Sequence, residues 1–187
     1  MLMRIVGIDP GSVVTGIAVI EYDGWNVKAL YFDVIKMNSK LPLTSRLKII
    51  YDSCSKIFNR YKPDVVAIET NFYGKNIQST LKLGQAKGVA VIAAINNNIE
   101  VVEYSPREIK KSVTGNGGSN KEQVKLFVKR MLSLKYEPIL SDASDALATA
   151  LCYYFSTKDN LKIQSHKKFT WKDFIEKHPD KIYLYKK

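Results

Sequence analysis

Over Arg4 to Ile20 an apolar run, IVGI, leads into the turn-forming DPGS, and a second apolar run, VVTGIAVI, leads out, the pattern of two strands joined by a tight connection. NVKALYFDVI, Asn26 to Ile35, predicts a third strand after the turn-like YDGW, so the chain opens as an antiparallel meander. The spacing then changes: Leu43, Leu47, Ile50, Cys54, Ile57 and Tyr61 recur at intervals of four and three, one face of a helix. Pro63 ends that helix, and DVVAIE, Asp64 to Glu69, is the short continuous apolar run of a buried strand. A second helix is predicted over about Ile77 to Asn96, a fifth strand at EVVEY, and a short third helix from Pro106 through Val113. TGNGGSN reads as a flexible loop. Ser119 or Asn120 caps a basic helix to about Leu134, and Ser141 caps a last one, DASDALATALCYYF.

The order β-β-β-α-β-α-β-α-α-α predicts an α/β fold: a mixed five-stranded sheet, three antiparallel strands plus two parallel, flanked by helices in the manner of an RNase H-like core. A domain over residues 1–157 is expected, followed by a basic C-terminal extension, 158–187, of unassigned role. From Ser156 on, nine lysines stand against four acids, interleaved with Phe169, Trp171, Phe174, Tyr183 and Tyr185. No apolar run reaches the roughly 18 residues of a membrane span, and no secretory leader is legible, so a cytoplasmic protein is expected. Cys54 and Cys152 fall within amphipathic patterns and suit free thiols in a reducing compartment. His166 and His178 lie far from both, which leaves no zinc spacing.

Charge changes this picture. With 29 Lys and Arg against 18 Asp and Glu, the formal net charge is +11, which favours a polyanionic partner. Eight basic residues between Ser105 and Lys135, among them Arg107, Lys110, Lys111 and Lys121, face only Glu108 and Glu122. Against this background four acids stand out by position. Asp9 ends the first strand, Glu69 ends the fourth, and Asp142 and Asp145 lie three apart at the start of the last helix. Taken singly, each has a plainer reading: a turn-forming Asp in DPGS, a polar strand end, two acids answering a helix dipole. Together they fall where one site would gather them. Crowded carboxylates repel and raise one another's pKa, and a hard divalent cation such as Mg²⁺ or Mn²⁺ relieves that. Two such ions about 4 Å apart are suited to phosphodiester hydrolysis.

The segments GIDPGSVVTGIAVI, AIETNFYGKNIQSTLKLGQAKGVA, VVEYSPREIKKSVTGNGGSNKEQV and DASDALATAL, in this order from about Met3 to Phe155, resemble the bacterial RuvC family of Holliday junction resolvases. The resemblance implies an RNase H-like fold, a homodimer with two active sites, and Mg²⁺-dependent symmetrical nicking of four-way DNA junctions that leaves ligatable ends. It implies catalytic, metal-binding roles for Asp9, Glu69, Asp142 and Asp145, with two ions per site, and a branch-migration motor complex as partner. It also implies that Phe72 stacks on unpaired junction bases, with Tyr73 a second candidate, and that Lys110 and Lys121 line the DNA path. Lys75, Arg107 and Lys111 complete the expected DNA-facing set. The Ile77–Asn96 helix resembles the family's dimerisation element; its small residues suit packing either on the sheet or across a two-fold axis. Thr70 stands where many members carry Gln, and the extension reaches past the family's usual end.

Three other readings compete. Other RNase H-like nucleases use the same acids on linear DNA or RNA hybrids, and a non-catalytic junction-binding protein would use them structurally. GIDPGS also resembles the first phosphate loop of actin-like ATPases, but the second such loop is missing.

Overall fold

The computed structural model describes residues 2–24, 26–70, 76–134 and 141–163, with side chains from Lys158 on left out. The ten predicted elements are present in the predicted order: β1 (Leu2–Asp9), β2 (Val14–Asp23), β3 (Asn26–Lys36), α1 (Leu43–Tyr61), β4 (Val65–Glu69), α2 (Ile77–Asn96), β5 (Glu100–Tyr104), α3 (Pro106–Thr114), α4 (Lys121–Met131) and α5 (Ser141–Ile163). They form a five-stranded sheet in the order β3-β2-β1-β4-β5. β1 pairs antiparallel with β2, and β2 with β3; β4 runs parallel to β1, and β5 to β4. This is the mixed sheet expected from the hydrophobic pattern.

Strand alternation sorts the core into two layers. Ile5, Ala18, Ile20, Val65 and Ala67 face α3, α4 and α5, with Leu147, Leu151 and Tyr154 packed against them. Val6, Ile8, Ile17, Val19, Val66 and Ile68 face α1 and α2. On α1 the buried residues are Arg46, Ile50, Cys54 and Phe58, four apart, while Leu43, Leu47, Ile57 and Tyr61 flank them only half-buried. The periodicity had placed the centre of that face slightly to one side. On α2 the alanines Ala86, Ala90, Ala93 and Ala94 pack inward on the sheet, whereas Gly84 and Gly88 face open space.

Three local readings gain detail. The TGNGGSN segment carries its own hydrogen bonds: the Thr114 hydroxyl lies 2.7 Å from that of Ser119, Gly118 N–H donates to Asn116 Oδ1, and Ser119 N–H to the Asn116 carbonyl. With the amides of Gly115, Asn116, Gly118 and Ser119 bonded internally, the loop has little left to offer a phosphate. α5 continues to Ile163, so the expected division at 157/158 falls within one helix. Asn120 is the residue that caps α4, through a reciprocal bond pair with Gln123.

α5 lies backbone to backbone on β1 and β2. A β-carbon added at Gly7 would collide with the Ala146 carbonyl, and one at Gly16 with the Asp142 carbonyl. Both glycines sit inside strands, where they signal close backbone approach. Gly16→Ala is expected to destabilise the protein by about 1–3 kcal/mol, the cost of overpacking, because the obstacle is backbone and cannot rotate away. Denaturant titration beside the wild type would measure this, and an unchanged midpoint would contradict it.

Candidate active site

Two strand registers place the first pair of acids. Ile8 of β1 pairs with Ile68 of β4, so Asp9 and Glu69 leave the sheet side by side, on the face covered by α5. Across β2, the partner of Asp9 is Gly16. Its missing side chain leaves room for the first turn of α5, and the β-carbon of Asp142 stands 3.2 Å from where a Gly16 β-carbon would be. Asp145, one turn on, lines the cleft beside Asp9 and Glu69, whereas Asp142 lies outside its lining and acts on Asp9 through its charge. That cleft, about 360 Å³, is lined by Asp9, Glu69 and Asp145 with Lys110 of α3, Lys121 of α4 and the apolar Ile109, Val124 and Ala148.

The turn after Asp9 is held on both sides. The buried Thr15 hydroxyl donates to the Gly11 carbonyl at 2.7 Å and accepts from the Gly11 amide at 3.2 Å. From the opposite face of the sheet, Arg46 donates to the Ser12 carbonyl. Beyond Glu69, the Thr70 amide and hydroxyl both donate to the Tyr104 carbonyl, at 2.8 and 3.1 Å. Thr70 thus ties the end of β4 to β5, whose next residue, Ser105, caps the helix that carries Lys110. Thr15, Arg46 and Thr70 were not legible as site residues, since their partners are backbone atoms from other parts of the chain.

The electrostatics reflect burial first and the acids' mutual repulsion second. Burial, then the negative charges of Glu69, Asp145 and Asp142, push the Asp9 carboxyl up to about 8. Burial and Asp145 push Glu69 up to about 7, against Lys121 and Lys110. Burial also raises Asp145, while Lys121 opposes this most strongly and Lys125 adds to the opposition. The Lys121 ammonium lies 3.5 Å from Asp145 Oδ2 and is itself stabilised by that carboxylate. Lys125, which the sequence left in the general basic field, pairs with Glu122 and adds a smaller pull on Asp145 from outside the cleft lining, where Arg107 and Lys111 also lie.

Carboxylate oxygens are hard donors, and every acid in the cleft is crowded by others, so the donor set suits a hard divalent cation. Among the described residues, no three acidic, histidine or cysteine side chains stand close enough to enclose an ion. The carboxylates converge on the cleft without closing it. Phe72, Tyr73 and Lys75 lie outside the described residues.

Comparison with known proteins identifies the family. Residues 5–153 match the family described as "Crossover junction endodeoxyribonuclease RuvC". The protein of that name from Chloroherpeton thalassium is 44% identical over 184 residues, covering 96% of this chain and 99% of its own. That of Porphyromonas gingivalis is 38% identical, over 95% of this chain and 96% of its own. Both alignments leave out too little to omit the segment from 158 on, so the extension is shared with these relatives. Among solved structures, "T. thermophilus RuvC in complex with Holliday junction substrate" superposes with a TM-score of 0.80 at 32% identity, over 83% of this chain and 95% of that one. The yeast mitochondrial resolvase Ydc2, 13% identical with a TM-score of 0.59 over 87% of this chain and 86% of its own, shares the fold. On the match of most of its length and on these identities, the chain belongs to the RuvC family of crossover junction endodeoxyribonucleases.

Proposed function

We propose that the chain resolves four-way DNA junctions by symmetrical, metal-dependent nicking, in recombination and repair. The observation that carries this reading is the convergence of Asp9, Glu69 and Asp145 from three separate elements on one cleft rimmed by Lys110 and Lys121. Asp142, which acts on Asp9 from above Gly16, completes the acidic set. In this reading all four carboxylates hold Mg²⁺, two ions per site, with Mn²⁺ able to substitute. The bound ions supply an activated water and charge stabilisation for the leaving oxygen.

The chain's own groups do the rest. Lys110 and Lys121 flank the acids and receive the phosphate oxygens of the cut strand, which the carboxylates alone would repel. Thr70, by tying β4 to β5, fixes the distance between the Glu69 side and the Lys110 side of the cleft. Arg107, Lys111, Lys125, Lys129 and Arg130 supply the surrounding positive field along the DNA arms. Phe72, with Tyr73 as second candidate, is assigned to the junction centre by family likeness, Lys75 to DNA contact and a branch-migration motor to the role of partner; a cytoplasmic setting follows from the sequence. No helix among the described residues is long and apolar enough to cross a membrane.

A homodimer fits the outer face of α2. Ile77, Leu81, Ile92 and Ile95 are exposed there, and Gly84 and Gly88 continue the same stripe with nothing within 4 Å of an added β-carbon. An apolar stripe with a flat glycine centre suits a second copy of itself across a two-fold axis. Leu81→Lys is expected to convert the dimer to monomers in sedimentation at micromolar protein; a wild-type mass for the variant would contradict this.

Two further outcomes are expected. On a mobile four-way junction with Mg²⁺, the wild type should give paired symmetrical nicks and leave linear duplex intact. Asp145→Asn should cut at least about 100-fold more slowly, the scale set by losing several kcal/mol of charge stabilisation. Junction binding with no nicks in Mg²⁺ or Mn²⁺ would refute the nuclease reading.

The second outcome concerns pH. Because the folded Asp9 carboxyl binds its proton up to about 8, and the unfolded one only near 3.8, the metal-free fold loses stability as pH rises between those values. Asp9→Asn should therefore melt above the wild type at pH 8 in EDTA, with the gap shrinking toward pH 4 and on adding Mg²⁺ to the wild type. A gap of the same size at both pH values would contradict the burial of that charge.

A further inference from the structure

Lys121, the first residue of α4, reaches across to the start of α5. Its ammonium lies 3.5 Å from Asp145 Oδ2 and 3.5 Å from Ser141 Oγ. Ser141 and Asp145 are one helical turn apart, so the ammonium rests against two oxygens on one face of α5. Of the two lysines that line the cleft, Lys121 is the one within 4 Å of an acid there, among the described residues.

All four acids are coupled to this lysine. It is the foremost positive charge opposing the upward push on Asp9, Glu69 and Asp145, and Asp142 acts on it in turn. The contact itself is loose. The Lys121 side chain is 68% exposed, and 3.5 Å is well beyond the roughly 2.8 Å of a strong charged hydrogen bond. Exposed ion pairs contribute little, and a lysine on a flexible stem can leave its partner without disturbing a packed core.

Asp145 Oδ2 thus has two claimants: the Lys121 ammonium and, under the function proposed above, a divalent cation. Mg²⁺ sits about 2.1 Å from its ligand oxygens, so an ammonium kept against the same carboxylate would be a like charge only a few ångströms away. Giving up one weak ion pair removes that repulsion and leaves the ammonium free for another anion. We propose that Lys121 is a built-in competitor of the divalent cation: it holds Asp145 until an ion takes that carboxylate, and then passes to the phosphate of the cut strand. This rests on the metal-dependent reading above and adds a coupling to it, since metal and phosphate each favour the other through one side chain.

Calorimetric titration of Mn²⁺ into the full chain without DNA tests the competition. Lys121→Gln, which removes the charge, should bind Mn²⁺ roughly two- to fivefold more tightly than the wild type, the scale of one exposed ion pair. Lys121→Arg keeps a cation and should stay near the wild type. Lys125→Gln removes a charge that acts on Asp145 from outside the cleft lining, and should change the affinity less. A lysine that served DNA alone would leave Mn²⁺ affinity unchanged in Lys121→Gln; that result would overturn the inference and leave the functional reading standing. Equal tightening in Lys125→Gln would mark a general field effect and overturn it as well. In junction binding, the gain in affinity that Ca²⁺ brings over EDTA should be smaller in Lys121→Gln than in the wild type, and an equal gain would overturn the passage of Lys121 to phosphate. A wild type that binds no Mn²⁺ would instead overturn the metal-dependent reading together with this one.

Discussion

The site depends on backbone lying directly on backbone, where the first turns of α5 cross Gly7 and Gly16. Any side chain at those two positions would hold the helix off the sheet. Because Gly16 is the cross-strand neighbour of Asp9, the room it leaves is the room through which Asp142 and Asp145 approach the strand-end acids. Dispersion and burial then lock the helix down, since Ala146, Leu147, Ala150 and Leu151 are buried against the same strands. The fold thus gathers anions at a place their mutual repulsion would otherwise keep them from.

That repulsion shows in the groups themselves. Asp9 and Glu69 are pushed to about 8 and about 7, with burial the leading cause in both and neighbouring carboxylates adding to it. Lys121 is the nearest compensating charge, 3.5 Å from Asp145, and Lys110 and Lys125 act from farther out. A core that buries apolar residues on both faces of a five-stranded sheet supplies the stability against which such a cluster is held. Under the proposed function the cost is relieved when cation and phosphate arrive, and the lysines then serve the DNA as well as the acids.

Much of this was legible in the chain. The element order followed from hydrophobic period together with turn, proline and cap residues, and the placing of Asp9 and Glu69 at strand ends followed from where the apolar runs stop. The glycines were readable too, since GID and TGI put Gly inside strands, although only the third dimension shows what lies against them. Other features were hidden for a definite reason. TGNGGSN has a loop's composition, and the hydrogen bonds within it are ones that the one-dimensional pattern does not encode. Arg46 falls on the inner face of α1, where apolar periodicity passes over a charged residue. Thr70 differs from the family's usual Gln, yet its hydroxyl is spent on the Tyr104 carbonyl, a partner 34 residues away.

The central claim is that α5 resting on two glycines builds one shared carboxylate site for a divalent cation. Calorimetric titration of Mn²⁺ into the metal-free protein tests it most directly, at pH 6 and pH 8, for the wild type and for Gly16→Ala. The account predicts binding that tightens at the higher pH as Asp9 and Glu69 shed protons, and that weakens sharply in the variant even where circular dichroism shows it folded. Mn²⁺ affinity that is indifferent to both pH and the Gly16 substitution would contradict it.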